Sequence, residues 1–238
     1  MDAHGWSAVV PVKRPAYAKQ RLADYGGWRP VLAAAFAADV ISALHGSDDI
    51  REVIVVGGEG LAAQVLTAPR LRKIADVRGL NEAVNAGLAA AHRAGAAGVL
   101  VVPADLPCLR SSDVDLLIQQ ADGDRASVLA DADGDGTAAL LIPSPVRFSP
   151  AFGPGSFGRH LRQGAHALNG DLATARRDVD TVEHLVAARQ LGVGQHTARV
   201  LALLEASAQA TTPMTAPDHK ATIETARTAA PSTSTYTR

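Results

Sequence analysis

An alternating α/β fold, built as a mostly parallel sheet with helices on both faces, is predicted by three features of this sequence. Short valine-rich runs recur between alanine-rich stretches of helical length. Glycine, proline or polar turns separate them. The βα units repeat at a length that implies parallel strands joined by crossover helices. The 238 residues, 47% hydrophobic and 20% charged, suffice for one sizeable core, so a single domain over residues 1–206 is expected.

Each element follows from its residues. The apolar run 7–12 reads as a buried first strand, and a turn carrying cations follows it. Residues 31–44 have helix-forming, alanine-rich composition; 52–56 form a second strand closed by Gly57 and Gly58. A strand at 73–77, a helix at 80–94 and a strand at 98–102 come next. A helix over 113–121 has its start marked by Ser111 and Ser112. Residues 126–130 and 137–142 read as strands joined by the Asp/Gly-rich turn 131–136, a β-hairpin insertion able to cover a substrate. A Gly/Pro loop at 152–157 leads to helices at 159–168 and 181–191. From 207 to 238 the chain is rich in Ala, Thr, Ser and Pro with few large apolar residues, the composition of a disordered tail.

Bulk composition excludes several function classes. A net charge of -1 argues against a general nucleic-acid or membrane-surface binder, either of which favours a basic face. The single cysteine, Cys108, rules out an intrachain disulfide framework and a Cys-rich zinc site. No run reaches the roughly 20 apolar residues that span a bilayer, and the N-terminus lacks the order of a signal peptide. A cytoplasmic protein is expected.

Four groups of residues carry chemistry. Lys13, Arg14, Lys19 and Arg21 follow the first strand, where open α/β sheets bind ligands, and can neutralise a triphosphate; a solvated basic loop is the plain alternative. No Gly-Lys-Ser/Thr phosphate loop is present. Asp105 ends the strand-and-turn Val101-Val102-Pro103-Ala104-Asp105-Leu106-Pro107 and points into the same crevice. Magnesium takes oxygen ligands, often one or two carboxylates with substrate phosphates, so Asp105 is a candidate ligand. Its alternative role is to cap the following helix. Asp178 and Asp180 alternate, so an extended backbone would send both to one face; Asp180 is equally placed to cap the next helix. In Gly79-Leu80-Asn81-Glu82, Asn81 is a natural helix cap, while amide and acid also suit a purine edge. Gly136-Thr137 and Gly153-Pro154-Gly155-Ser156 are small, hydroxyl-bearing loops of the kind that present donors to phosphate or carboxylate.

Taken in order, these segments resemble one family. They are Val10-Pro11-Val12-Lys13 with Ala18-Lys19-Gln20-Arg21-Leu22, Gly79-Leu80-Asn81, Pro103 to Pro107, the Thr137, Gly153 and Ser156 loops, and Asp178-Val179-Asp180-Thr181. The family is the phosphoenolpyruvate and 2-phospho-L-lactate guanylyltransferases of coenzyme F-420 biosynthesis. The resemblance spans about residues 6–200, including Leu191-Gly192-Val193-Gly194.

It implies a Rossmann-like nucleotidyltransferase domain of the glycosyltransferase-A type, using magnesium and GTP. The phosphate of a three-carbon acid would attack the α-phosphorus and release pyrophosphate. Lys13, Lys19 and Asp105 would be catalytic. Val10, Pro11, Val12, Lys13, Lys19, Gly79 and Asn81 would bind nucleotide; Thr137, Gly153 and Ser156 would bind the acid; Asp105, Asp178 and Asp180 would hold metal. Because the nucleophile is already an anionic oxygen, no general base is required, which agrees with the lack of a His or Ser dyad.

The Leu-Gly-Val-Gly ending and alanine-rich composition look actinobacterial, which favours phosphoenolpyruvate over 2-phospho-L-lactate. The first loop departs from the pattern at Arg14-Pro15 and Gln20. A molybdenum-cofactor or sugar nucleotidyltransferase would open with a Gly-rich loop instead, and a non-catalytic module would have lost the acids. Neither nucleic acid nor membrane is expected as a partner, and a homodimer is compatible with the sequence.

Overall fold

Strand β1 (Trp6–Val12) lies in the middle of a seven-stranded sheet of order β3-β2-β1-β4-β6-β5-β7. The structure is a computed structural model and describes residues 5–13, 20–144 and 146–211. On one side β1 pairs in parallel with β2 (Ile50–Gly57), which pairs in parallel with β3 (Leu71–Ile74). On the other it pairs in parallel with β4 (Gly98–Val101). The chain thus winds outward from β1 to β3 and returns across β1 to β4. Such a reversal opens a crevice beyond the carboxyl ends of the strands.

The second half of the sheet is mixed. β5 (Ser127–Ala130) and β6 (Thr137–Pro143) form the expected antiparallel hairpin, and β6 runs antiparallel to β4. The hairpin is therefore built into the main sheet, with its turn at the same end as the crevice. A short β7 (His166–Ala167) adds in parallel to β5.

Both faces are covered, which is why the strands read as unbroken apolar runs. Ala8, Val10 and Val12 point to one face with Val53 and Val55. They meet Val40 and Leu44 of α1 (Arg29–His45) and Val114 and Leu117 of α4 (Ser111–Gln119). Val9 points to the other face with Ile54 and Val56, against Val84, Leu88 and Ala91 of α3 (Leu80–Arg93). This is the two-residue alternation of a strand. Gly87 lets α3 approach closely: a Cβ there would lie 2.4 Å from Val9 Cγ1.

Several elements differ from expectation. The helix predicted over 159–168 is instead α5 (Ser156–Arg162) followed by β7. Gly164 takes φ +92, outside helical space, and His166 N donates to Ala126 O at 2.8 Å, so the chain leaves the helix to pair with β5. The third strand ends at Ile74, leaving residues 75–79 as an irregular segment. α2 (Ala63–Leu66) and α6 (Ala173–Arg176) are short additions; α7 (Val182–Leu191) matches its prediction, capped by Thr181.

A final helix, α8 (Gln195–Thr211), continues past residue 206. Among the described residues, those up to 202 form one compact unit and 203–211 belong to another. The expected tail lies outside the described residues from 212 onward.

One stretch, Asp24–His45, has the length and apolarity of a membrane span, with mean hydropathy 1.2, contrary to the sequence reading. Alanine raises its average, and α1 buries Leu32, Phe36, Val40, Ile41 and Leu44 against the fold, as a core helix does.

Candidate active site

A cleft of about 470 Å³ opens beyond the ends of β1 and β2. Its walls are Pro11, Val12 and Lys13 from β1 and the residue after it, Val56 from β2, and residues 76–80 and Ala83 leading into α3. Gly57 permits this shape: its φ is +88, and a Cβ would sit 2.4 Å from Val12 O. Gly79, at φ +104, turns the chain into α3 without a side-chain cap, so the first turn of that helix faces the cleft with its backbone donors. Exposed Lys13 adds a cation, and Asp76 and Arg78 contribute one charge of each sign. A concavity with a helix N-terminus and a lysine is suited to an anionic ligand.

Asp105 sits in the turn after β4, half-buried. Its carbonyl accepts the Val179 N–H at 3.0 Å, so the turn runs beside the segment of Asp178 and Asp180. Val179 is fully buried, while the aspartates on either side are half-buried, the alternation expected of an extended piece. Neither capping alternative holds: α4 is capped through Asp113, which accepts Arg110 N at 2.9 Å, and α7 through Thr181.

The β5–β6 turn leans on the same segment through Ala132 N to Arg176 O, 2.9 Å. Among the described residues, no three His, Cys, Asp or Glu side chains converge as a ready metal cage. Asp105, Asp178 and Asp180 lie on segments that the Asp105–Val179 backbone contact brings side by side, and carboxylate oxygens are the donors that a divalent cation takes when phosphates complete its shell.

The third part is the loop from Ala151 to Gly155, whose polar backbone atoms are held from several sides. Asn81 Oδ1 accepts Phe152 N–H at 2.8 Å and its Nδ2 donates to Phe152 O at 3.3 Å. Arg159 donates to Ala151 O, Gly153 O and Pro154 O. Asp135 Oδ2 accepts Gly155 N–H at 2.7 Å. Beneath the loop, Ser156 Oγ donates to Thr137 Oγ1 at 2.9 Å, and Thr137 Oγ1 lies 3.0 Å from His160 Nδ1. His160 Nε2 accepts Ala151 N–H at 2.9 Å. Burial, and then the nearby Arg159 cation, push the imidazole down to about 4, so the ring is neutral near pH 7.

The predicted residues therefore fall into place unevenly. Pro11, Val12, Lys13 and Gly79 line the cleft, whereas the Val10 side chain is in the core on the α1 face. Asn81 neither caps α3 nor faces the cleft as a nucleotide reader; both ends of its amide are spent on the Phe152 backbone. Thr137 and Ser156 are joined directly, with Gly153 in the loop above them. Lys19 and Arg14 lie outside the described residues. Cys108 is buried and its thiol is raised to about 11 by that burial, so it is a packing residue.

Asp76, Arg78, Asp135, Arg159 and His160 were not singled out from the sequence. The charge pair just before Gly79 was a usable signal for Asp76 and Arg78. His160 and Arg159 read as ordinary positions of a helix.

The sequence matches the family described as "Guanylyl transferase CofC like" over residues 6–209. It is 44% identical over 207 residues to a phosphoenolpyruvate guanylyltransferase of Thermomonospora curvata, covering 84% of this chain and 90% of that one. To the protein of the same name from Streptomyces scabiei it is 42% identical over 213 residues, with coverage of 84% and 97%. Among solved structures, one described as a nucleotide-diphospho-sugar transferase from Desulfovibrio desulfuricans superposes with a TM-score of 0.61. It has 18% identity and coverage of 87% and 96%, a likeness of fold.

Proposed function

Because the chain belongs to the CofC-like guanylyl transferase family, we propose that it joins the guanylyl group of GTP to phosphoenolpyruvate and releases pyrophosphate. The observation that supports this reading is the Asp105–Val179 backbone contact, which brings the turn carrying Asp105 beside the segment carrying Asp178 and Asp180.

GTP occupies the cleft beyond β1. Lys13 and the first turn of α3 neutralise phosphate charge, and Asp76 accepts N–H groups of the guanine edge. Lys19, which lies outside the described residues, is the second phosphate-neutralising cation of this reading. Thr137, Gly153 and Ser156 hold the carboxylate and phosphate of the acid.

A phosphate oxygen of phosphoenolpyruvate attacks the α-phosphorus, and the bond to the β-phosphate oxygen breaks with its electron pair leaving on pyrophosphate. The product is enolpyruvoyl-2-diphospho-5'-guanosine. The attacking oxygen is already anionic, so the side chains hold two anions in line and offset their repulsion; none has to remove a proton. Asp105 with Asp178 and Asp180 suits magnesium, which when bound supplies positive charge to the phosphate oxygens. Both substrates belong to the cytoplasm, and the protein acts there.

The test is pyrophosphate release from GTP and magnesium with phosphoenolpyruvate, with 2-phospho-L-lactate, and with neither, for the wild type and Asp105→Asn. Release that needs phosphoenolpyruvate and drops at least about a hundredfold in the variant is expected. Release with 2-phospho-L-lactate alone would reassign the acceptor; release with neither acid would remove the proposed reaction.

A further inference from the structure

His160 exposes none of its surface, and its ring lies against Phe152, with centroids 5.3 Å apart, and Phe148, at 5.7 Å. The ring cannot choose its tautomer freely. A backbone N–H only donates, so the Ala151 contact at 2.9 Å requires a bare Nε2. A neutral imidazole with Nε2 bare carries its hydrogen on Nδ1, and that hydrogen points at Thr137 Oγ1, 3.0 Å away.

The consequence lies in counting hydroxyl hydrogens. Thr137 and Ser156 own two between them and use one on their mutual bond. When His160 donates to the pair, the second hydrogen stays free for something else. With the opposite tautomer, Nδ1 would draw that second hydrogen and the pair would have none to offer. Carboxylate and phosphate oxygens only accept, so only the first arrangement suits an anionic ligand.

We propose that His160 is a positioning residue for the acceptor acid: locked by Ala151 N–H, it donates to Thr137 and so keeps the Thr137–Ser156 pair a hydrogen-bond donor toward an anionic oxygen. This rests on the reading of Thr137 and Ser156 as acceptor contacts given above.

Three measurements test it. Imidazole 15N shifts of the full-length wild type at pH 7 should show Nδ1 protonated and Nε2 bare for His160; the reverse tautomer overturns the proposal whatever the substrate.

In His160→Gln the amide oxygen can replace Nε2 toward Ala151, but the donor to Thr137 is lost. In His160→Asn the amide nitrogen can replace Nδ1 as that donor. The KM for phosphoenolpyruvate should rise about tenfold or more in the first and stay within about threefold in the second, with the KM for GTP little changed in both. Equal damage by the two variants, or damage to both KM values, would mean a merely structural histidine.

Finally, His160→Gln placed on Thr137→Val should add no further rise in that KM; a fully additive effect would refute action through Thr137. If the wild type uses neither acid, the acceptor role falls with the proposed reaction, and the tautomer result identifies that failure separately.

Discussion

Mild acid should weaken this fold at His160 by an amount the burial of the ring fixes. The imidazole protonates at about 4 in the folded chain, against an ordinary 6.5. Below pH 6.5 the unfolded chain therefore takes up a proton that the native chain refuses, so stability falls as the pH drops from 6.5 toward 4 and is flat outside that window. From pH 7 to 5.5 the loss at this one group is about 1 kcal/mol, and by pH 4.5 it is about 2 kcal/mol.

Urea unfolding of the wild type and His160→Asn at pH 7 and 5.5 isolates this contribution, because the other histidines titrate alike in both and cancel. The wild type should lose about 1 kcal/mol more than the variant between the two pH values, at unchanged m. Equal losses would show that the ring titrates normally in the fold and that the hydrogen-bond directions assigned to it are wrong.

Asn81→Ala removes both partners of the Phe152 backbone and leaves its N–H and C=O unsatisfied in a part-buried loop. At about 1–3 kcal/mol for an orphaned buried group, the acceptor KM should rise roughly tenfold to a hundredfold in steady-state kinetics, with little change in secondary structure by circular dichroism. Asp39, only 3% exposed, accepts the N–H groups of His196 and Thr197 at 2.9 Å each and so caps α8 from a neighbouring helix. Asp39→Ala should cost about 1–2 kcal/mol in urea unfolding and leave the KM values of the folded enzyme unchanged.

The parts of the molecule legible in its sequence were those where burial writes a pattern. The first strand, the hairpin about residues 131–136 and the helix after Gly79 each show apolar runs or turn residues that the fold uses as expected. The place of Asp105 was legible for a related reason: a residue just after the carboxyl end of a parallel strand lies beside the crevice, whereas Thr137 was picked out by its Gly-Thr loop and the family resemblance. Gly164 was the available warning that residues 159–168 could not be one helix, and alanine and leucine around it outweighed that signal.

What stayed hidden were the long-range polar contacts. Asn81 meets Phe152 across 71 residues, and Asp39 meets Thr197 across 158. Hydrophobic periodicity reports which face is buried; it does not report which distant backbone groups will need a partner once there.

These hidden contacts bear on how a site without a general base can work. If no proton transfer limits the reaction, rate depends on holding two anions in line, and the protein must meet that demand before the substrates arrive. The loop from Ala151 to Gly155 meets it: Asn81, Asp135, Arg159 and His160 together bind backbone atoms of all five residues, which leaves few polar groups free to rearrange. Asn81 gives this wiring a direction. Its neighbours Gly79 and Leu80 line the cleft beyond β1, while its amide holds the loop over Thr137 and Ser156. The two hydrogen bonds therefore tie the first turn of α3 to the loop above Thr137 and Ser156, so that neither can be displaced without straining the other.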